Sequence, residues 1–434
     1  MEIIGPIISA TLSQTSNLHQ MRLRTINPYA VPENCQPLRR TPLSQEFSFA
    51  YPHFKRDFDV LTTQCLALRR LDRKAQMFPV KVGIGSPNIG VNEMTTNRLI
   101  HVLTVCSIAE TLCLPQNLNL NGFLAKSGAI VHDVSHTPWA HPGERSLDKV
   151  SMKYLGRHYL HSIGGVYLLD RIEGLGPQRQ PFNLDMRVLE AIAFHDGEAP
   201  SGGFWRPSRK RTWGDFEADC STKETNPKTI LVPSTLEGLV VRFSDKIAFL
   251  PDDIETCIHL RLFGRKEIPQ TMLGIYGPDI RQSLISDLIK TSKGKDYIAH
   301  SDEAARAINI IQDFFIEKVF KGYNGKIQDK LDELFETMFT ILLQHLKEGN
   351  SDSPIAHYKN YMAIGNWEKL WDEEKVLYFI AGMTEEYFRD VFKMITAGTG
   401  QANLLRSLSD NRNKLNINRL TIGLENLPQG LDPR

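Results

Sequence analysis

Three histidines and two carboxylates lie within thirteen residues near the middle of the first half of the chain. They are His132, Asp133, His136, His141 and Glu144. Imidazole and carboxylate together are ligands for divalent metals of intermediate softness, among them manganese, iron, cobalt, nickel and zinc. The alternative is a group of core histidines beside a polar loop. Because five of the thirteen histidines of the chain lie between positions 132 and 161, we favour a metal centre.

An apolar segment directly before this cluster predicts the helix that positions it. Residues 123–131 form the segment, and a helix that buries it would deliver His132 and Asp133 at its C-terminal end. Pro138 and Pro142 are expected to stop this helix and to force a tight loop. The loop would carry the remaining histidines of the cluster back toward the same place.

A second helix is expected to bring another histidine to the site. It would begin after Thr95 or Thr96, either of which can serve as its N-cap, and run to about Leu114. Arg98 and His101 are one turn apart and therefore share a face of this helix. Because Arg98 lies on the same face, we favour a place in the site for His101 over the role of an isolated core histidine.

A strongly apolar helix is expected to follow Thr235. Side chains spaced i, i+3, i+7 and i+11 share one face of it, and these are Arg242, Asp245, Phe249 and Asp253. A carboxylate in the middle of so apolar a helix is costly unless it is paired or bound to a metal. Asp245 is therefore expected to belong to the site.

A second His-Asp pair, His195-Asp196, follows a predicted helix at residues 184–194. It lacks the His-x-Pro-x-x-His-x-Gly-Glu pattern that follows the first pair. We therefore expect it to lie outside the metal ligands, or at most on the substrate side. Helical periodicity also predicts one continuous helix at residues 56–71 and another at residues 147–172.

The composition is that of an ordinary globular protein. The chain has 434 residues, 51 basic and 50 acidic side chains and 41% hydrophobic residues. This gives ample material for a core and no charge excess that would indicate a dedicated nucleic-acid or membrane-surface protein. The six cysteines are scattered without a C-x-x-C pair, as in reduced intracellular proteins. We see neither a signal peptide nor the roughly 18–20 apolar residues of a membrane span, and expect a cytoplasmic protein.

Helical patterns dominate and strand signals are weak, so the expected fold class is all-α, with one large catalytic domain and additional C-terminal helices. We expect an N-terminal arm at residues 1–45 that wraps the body or a neighbouring subunit. The catalytic core is expected at residues 46–270, with a long loop insertion at residues 199–234 whose basic run is solvated or faces phosphate. C-terminal helices of the same unit would follow at residues 271–400, and a tail at residues 401–434.

His101, His132-Asp133 and Asp245, in this order, resemble the metal-dependent phosphohydrolases with an HD domain. Five ordered blocks resemble more specifically the deoxynucleoside triphosphate triphosphohydrolases, the dGTPase-like family. The blocks are residues 54–59, 69–78, 98–101, 132–144 and 244–249. Residues 372–397 are similar to the C-terminal region of that family, so the resemblance extends over most of the chain.

The resemblance implies an HD-domain helical fold and one divalent metal ion per subunit. Mn²⁺ and Mg²⁺ are the leading candidates, with Fe, Co, Ni and Zn as alternatives. The implied metal ligands are His101, His132, Asp133 and Asp245. The catalytic positions of the family fall on His141, Glu144 and His161. Of these, His141, held by Glu144, would protonate the leaving 5′-oxygen.

The resemblance also implies which residues bind the substrate. The substrate-binding positions fall on Gln76, Arg98, Lys246, Phe249 and Asp253. The first would lie near the sugar, the next two would contact the phosphates, and the last would meet the 3′-hydroxyl. Phe249 stands where relatives commonly have a tyrosine that crowds the 2′ position. Ser135 and Ala140 replace two glycines of the central motif, and because both are small we expect the loop geometry to be kept.

The implied activity is hydrolysis of deoxynucleoside triphosphates to deoxynucleoside and tripolyphosphate, with dGTP as the leading substrate. A metal-activated water would attack the α-phosphorus. Another HD phosphohydrolase, of the 5′-nucleotidase or cyclic-nucleotide type, is one alternative, and a non-catalytic nucleotide-binding regulator is the other. The family also implies a homo-oligomer, a hexamer, with allosteric sites for a nucleotide or single-stranded DNA. No membrane partner is expected.

Overall fold

The computed structural model describes residues 27–43, 52–76, 96–175, 180–196, 204–259, 261–320, 325–358 and 366–397. These residues form α-helices joined by short turns, which confirms the predicted all-α class. The strands found among them make one small antiparallel hairpin. It pairs β1 (Gly174–Leu175) with β2 (Gln180–Pro181), with Gly174 opposite Pro181.

The helices of the described residues are numbered here in chain order. They are α1 (His53–Gln64), α2 (Leu66–Arg70), α3 (Arg98–Cys113), α4 (Gly122–Val131), α5 (Ala140–Leu155), α6 (His161–Tyr167), α7 (Met186–Ala193), α8 (Trp213–Thr225), α9 (Leu236–His259), α10 (Gly277–Ser292), α11 (Asp302–Phe315), α12 (Gly325–Lys347), α13 (Pro354–Tyr358), α14 (Asp372–Ala381) and α15 (Glu385–Ile395). Short 3-10 turns occur at Leu71–Arg73, Arg265–Glu267 and Trp367–Lys369, and π-helical turns at Leu168–Ile172 and Ile316–Phe320.

Helix α4 is the centre of the bundle and packs against α1, α3, α7 and α9. Its sequence is apolar on nearly all sides, as in a helix surrounded by others. Gly128 allows the closest approach, because a Cβ there would lie 2.7 Å from the Cβ of Ala191 in α7. The helix begins at the N-cap Asn121 and ends at Val131. It therefore delivers the next two residues, His132 and Asp133, to the interior, as predicted.

Two helices predicted as continuous are each broken in two. The chain at Cys65 is extended, and its thiol accepts a hydrogen bond from Leu68 N. The Glu173 carboxylate accepts from the first amides of α2, so the break between α1 and α2 is stabilised by two caps. The second break follows Gly156, whose φ of +67° ends α5 in the left-handed conformation.

The predicted loop insertion at residues 199–234 contains a helix, so the expectation of a loop is wrong for residues 213–225. Helix α8 begins with a capping box formed by Thr212 and Asp215. In the basic run before it, Arg211 forms ion pairs with Asp219 and Glu190. Periodicity missed α8 because its polar sequence has no clear apolar stripe.

The described part of the predicted N-terminal arm, residues 27–43, lies against the helices of the same chain. Leu38 N donates to the Asp185 carboxylate at 2.9 Å, and Arg40 forms an ion pair with Asp170. The rest of the predicted arm and the tail at residues 401–434 lie outside the described residues. In the part of the chain that is described, no helix is long and apolar enough to cross a membrane.

The C-terminal helices pack onto the helix that follows the histidine cluster. Helices α12 and α14 both contact α5, and α12 also contacts α14 and α15. The same body therefore contains the predicted core and the described part of the predicted C-terminal region. This packing places residues more than 200 positions later in the chain beside the central loop.

Glu237, at the start of α9, makes the attachment of the N-terminal arm sensitive to pH. Its buried Oε1 accepts hydrogen bonds from Val31 N at 2.9 Å and Asn121 N at 3.0 Å. Burial raises the pKa of the Glu237 carboxyl to about 7. The folded chain therefore keeps a proton that the unfolded chain loses near pH 4.5, and stability falls as the pH rises from that value to about 7.

We predict that Glu237→Gln removes this contribution, because the amide keeps an acceptor oxygen and does not titrate. The free energy of unfolding of the variant relative to the wild type should rise between pH 5 and 7, by at most about 1.4 kcal/mol per pH unit. Urea unfolding at several pH values measures this difference. If the free energies of unfolding of the two proteins changed in parallel with pH, Glu237 would not be the group responsible for this pH dependence.

Candidate metal centre and active site

The four predicted metal ligands come together in the interior. His101 lies on α3, His132 and Asp133 directly follow α4, and Asp245 lies on α9. His101 Nε2 is 3.0 Å from Asp245 Oδ1, and His132 Nε2 is 3.5 Å from the same oxygen. Two ligands at right angles, each about 2.1 Å from an ion, are about 3 Å apart, so these separations fit a shared divalent cation.

The hydrogen bonds of His132 also fit a metal ligand. Its Nδ1 donates to the carbonyl of Ala129 at 2.7 Å, which leaves a lone pair on Nε2. This Nε2 is buried and has no hydrogen-bond partner among the described residues. Metal-binding histidines usually have such a backbone partner on the other nitrogen, which fixes the ring orientation. The cluster is therefore compatible with a bound divalent ion.

Arg98 sits one turn before His101 and forms a buried ion pair with Asp133. Burial alone would raise the pKa of the Asp133 carboxyl, but Arg98 and the neighbouring imidazoles hold it well below its usual range. Arg98 also donates to the carbonyl of Gln76 at 3.1 Å, and the side-chain Oε1 of Gln76 is buried without a hydrogen-bond partner. The helix of Arg98 begins at the N-cap Asn97, and not at the threonines that we expected.

Glu144 holds two imidazoles with its two oxygens. His141 Nδ1 is 2.9 Å from Glu144 Oε2, and His161 Nδ1 is 2.8 Å from Glu144 Oε1. The side chain of His141 is 66% exposed, whereas His161 is buried. Burial lowers the pKa of His161, but the Glu144 charge outweighs it and raises the pKa to about 9. One carboxylate thus links an exposed imidazole to a buried one.

The loop between the two halves of the motif is tightly constrained. Trp139 and Ala140 have φ of 61° and 52°, the left-handed conformation that costs a residue with a Cβ about 1–2 kcal/mol. A Cβ on Gly143 would lie 1.8 Å from the carbonyl oxygen of Pro138, so only glycine fits there. We expected Pro142 to stop a helix. It lies instead in the first turn of α5, where a residue needs no amide partner within the helix.

The C-terminal helices hold this loop in place. Trp139 is buried against Phe388 of α15, with ring centroids 4.9 Å apart. A single oxygen of Glu385, Oε1, accepts from Trp139 N at 3.1 Å and from Ala75 N at 3.2 Å. Glu385 therefore joins the loop that leads to His141 with the segment that leads to Gln76.

The remaining predicted substrate residues follow Asp245 along α9. Lys246, Phe249 and Asp253 are all half-buried. Burial and the charge of Asp252 raise the pKa of the Asp253 carboxyl to about 8. Asp252 forms an ion pair with Arg281 of α10.

Arg242, one turn before Asp245 on α9, turns away from the cluster. Its guanidinium donates to the carbonyl of Asp196 at 2.7 Å and stacks over the ring of Trp205.

Two further histidines lie at the site: His136, which the sequence placed in the cluster without a specific role, and His195. His136 is buried, stacks on His161 with ring centroids 4.5 Å apart, and has no hydrogen-bond partner for either nitrogen among the described residues. His195 Nε2 lies 3.3 Å from His161 Nε2, and its ring is 4.8 Å from that of His132. We expected His195 to lie outside the metal ligands, or at most on the substrate side, and the structure places it beside His132 and His161. The sequence signal was the repeated His-Asp pair after an apolar helix.

The helical fold and this cluster define a protein with an HD domain, and the family described as HD domain matches residues 98–249. A deoxyguanosinetriphosphate triphosphohydrolase-like protein of Caldanaerobacter subterraneus subsp. tengcongensis is 28% identical, over 86% of this chain and 94% of the relative. Proteins of the same description from Clostridium tetani and Leptospira interrogans are 27% and 25% identical, over 76% and 87% of this chain and 81% and 98% of theirs. The chain therefore contains an HD domain and is similar over most of its length to proteins described as deoxyguanosinetriphosphate triphosphohydrolase-like.

We predict that Glu385→Ala destabilises the loop at residues 136–141. The substitution leaves the partly buried amides of Trp139 and Ala75 without their acceptor, at up to about 1–3 kcal/mol for each, the usual cost of an unsatisfied buried group. Urea unfolding should show this loss, and hydrogen exchange of the loop amides should accelerate.

Glu385→Gln keeps an acceptor oxygen and should lose less than half as much stability. Glu386→Ala, at the exposed next position of α15, is the matched control and should leave both measurements unchanged. Equal effects at positions 385 and 386 would show that the shared oxygen of Glu385 does not hold the loop.

Proposed function

We propose that the protein hydrolyses deoxynucleoside triphosphates, with dGTP as the leading candidate, to the deoxynucleoside and tripolyphosphate. One observation carries this proposal: the linked residues His141, Glu144 and His161 lie directly beside the cluster of His101, His132, Asp133 and Asp245. A proton donor beside a cation site is what hydrolysis of a phosphate ester needs. The printed descriptions of the relatives point to the same substrate class.

The four ligands would hold one divalent ion, Mn²⁺ or Mg²⁺ in our proposal. Such an ion neutralises charge on phosphate oxygens and acidifies a water molecule. Asp133 and Asp245 suit this role because their pKa values are held well below the usual range, so both are anionic at neutral pH. Asp133 is buried and Asp245 is partly buried, which strengthens their charge interactions relative to those in water.

His141 is proposed as the general acid. Glu144 Oε2 accepts the Nδ1 proton of its ring, which leaves Nε2 as the atom that can deliver a proton. The ring is largely exposed, so an incoming substrate can reach it. A proton on the leaving 5′-oxygen completes the release of the deoxynucleoside.

Positive groups around the cluster are proposed to bind the triphosphate. Arg98 and Lys246 lie on α3 and α9, the two helices that also carry His101 and Asp245. His161, held by Glu144, presents Nε2 to the same space. Gln76 offers a buried, unpartnered Oε1 for the sugar. Several positive groups around one site suit the large negative charge of a triphosphate better than the smaller charge of a monophosphate.

The sugar is proposed to lie along α9, past Lys246. Phe249 would crowd the 2′ position with a ring that donates no hydrogen bond, and Asp253 would meet the 3′-hydroxyl. Because burial raises the pKa of Asp253 to about 8, its carboxyl is mostly protonated at pH 7 and can donate as well as accept. By family resemblance the proposal also includes a homo-oligomer, a hexamer, with an allosteric nucleotide or single-stranded DNA site.

Product identification tests the proposal. Purified protein is incubated with each deoxynucleoside triphosphate, alone and in mixtures, with Mn²⁺ or Mg²⁺. We expect deoxynucleoside and tripolyphosphate in equal amounts. Orthophosphate from a monophosphate substrate, or cleavage of a cyclic nucleotide, would identify another HD phosphohydrolase, and no turnover of any nucleotide would favour a regulator.

We predict that His141→Ala lowers kcat at least 100-fold, the lower end of the usual contribution of a positioned general acid. Metal content should stay unchanged, because the ring of His141 bonds to Glu144 and not to the four ligands. His357→Ala, an exposed histidine on α13, is the control and should keep full activity. Loss of the metal in the position-141 variant would show that His141 is a ligand and not the acid.

A further inference from the structure

We propose that Lys74 is a positioning residue, which sets the place of the loop leading to His141 relative to the end of α3 that carries Arg98. The inference rests on the proposed function and deepens it, because it explains how the general acid is held relative to a phosphate-binding group. Lys74 directly follows the 3-10 turn Leu71–Arg73, and only 1% of it is exposed. It therefore acts from the interior, through the groups that it contacts.

The backbone at Lys74 holds the start of α3. The carbonyl of Lys74 accepts a hydrogen bond from Arg98 N at 2.9 Å. Two residues later, the carbonyl of Gln76 accepts from the Arg98 guanidinium at 3.1 Å. Between them, Ala75 forms an antiparallel bridge with Asn97, the N-cap of α3. This short segment thus fixes both the backbone and the side chain of Arg98.

The side chain of Lys74 holds the central loop. Its Nζ donates to the carbonyl of His136, where the loop toward His141 begins, and to the carbonyl of Ala381 at 2.8 Å. Ala381 is the last residue of α14, and the final carbonyls of a helix have no partner within it. One amine therefore joins the start of the loop to the C-terminal end of α14.

A buried lysine is a costly residue for joining two carbonyls. The acceptors found for Nζ among the described residues are neutral, and burial and the charge of Arg70 lower the pKa of Lys74 to about 7. Both the charged and the neutral amine donate hydrogen bonds, so the two contacts do not require a fixed charge. Costly residues inside a protein are expected where function requires a particular geometry. Here the geometry is that of the loop.

Lys74 and Glu385 hold different points of this loop. Lys74 holds it at His136, and Glu385 holds it further along, at Trp139. Glu385 also accepts from the amide of Ala75, the residue after Lys74. The loop, the start of α3 and the turn after α14 therefore form one connected frame. Without the amine, the His136 carbonyl loses its contact with this frame, and a shift of about 1 Å in a catalytic group can cost about 100-fold in rate.

A double-mutant cycle on the full chain tests the inference. We measure kcat and KM for hydrolysis of deoxynucleoside triphosphates by the wild type, Lys74→Met, His141→Ala and the double variant. Methionine has nearly the length of lysine but donates no hydrogen bond. Lys74→Met should lower kcat at least about tenfold and change KM less than about threefold, because Arg98 keeps its bonds to Gln76 and Asp133. The double variant should stay within about twofold of His141→Ala, since Lys74 acts through the position of His141.

Two further variants separate positioning from a general loss of stability. Lys126→Met is the matched control, because Lys126 is a half-buried lysine of α4 that forms an ion pair with Glu110 of α3. It should keep kcat and KM. Lys74→Gln keeps a donor on a shorter side chain and should recover part of the rate. Full activity of Lys74→Met, or losses that multiply in the double variant, would overturn the proposal.

Hydrogen exchange separates this inference from the proposed function, because it needs no substrate. The amides of residues 136–141 should exchange faster in Lys74→Met than in the wild type and in Lys126→Met. If the wild type turns over no deoxynucleoside triphosphate, the proposed function is overturned and the exchange rates decide whether Lys74 holds the loop. Turnover by the wild type with unchanged exchange in Lys74→Met would overturn the role of Lys74 alone. If Lys74→Met does not fold, as judged by circular dichroism, the same measurements on Lys74→Gln decide.

Discussion

Two carboxylates, Asp133 and Asp245, lie inside an apolar helical bundle, and the structure depends on how their charge is compensated. An isolated charge at such a place is prohibitively costly. Here imidazoles from α3 and α4 and the guanidinium of Arg98 surround them and keep both anionic. The requirement for compensation therefore brings together helices far apart in the chain. Carboxylates and imidazoles together are also the ligand types that suit divalent metals of intermediate softness.

The loop from His136 to His141 shows that the site is held from both sides. Left-handed Trp139 and Ala140 are unfavourable by themselves, and the loop keeps this shape because Trp139 is buried against the C-terminal helices and its amide is bonded to Glu385. A glycine at the position of Ala140 would adopt this conformation at little cost. The strained loop thus fixes the direction of the helix that carries His141 and Glu144.

Much of the site could be read from the sequence, because the arguments were local. The apolar run before His132 predicted a buried helix that ends there, and the cost of a carboxylate on an apolar helix identified Asp245. The breaks at Cys65 and Gly156 were missed because they depend on a cap from Glu173 and on a left-handed residue, which periodicity does not show. Helix α8 was missed because most of its sequence is polar, and its contacts include tertiary ion pairs that no local pattern shows. The position of His195 depends on how α7 packs beside α4, which the sequence does not show. Asp252 is explained only by its ion pair with Arg281, which lies on another helix.

The single oxygen of Glu385 has a consequence for where this protein can be divided. It belongs to α15, about 135 residues beyond the segment that matches the HD domain, yet it accepts hydrogen bonds from the backbone at both Trp139 and Ala75. The matched segment contains the four proposed ligands, but the shape of the loop between them and the acid is set from outside it. Sequence boundaries drawn by family likeness and the boundaries of the cooperative folding unit therefore do not coincide in this chain. Evolutionary grafting of the HD segment onto another scaffold would have to supply an equivalent acceptor at the same point in space.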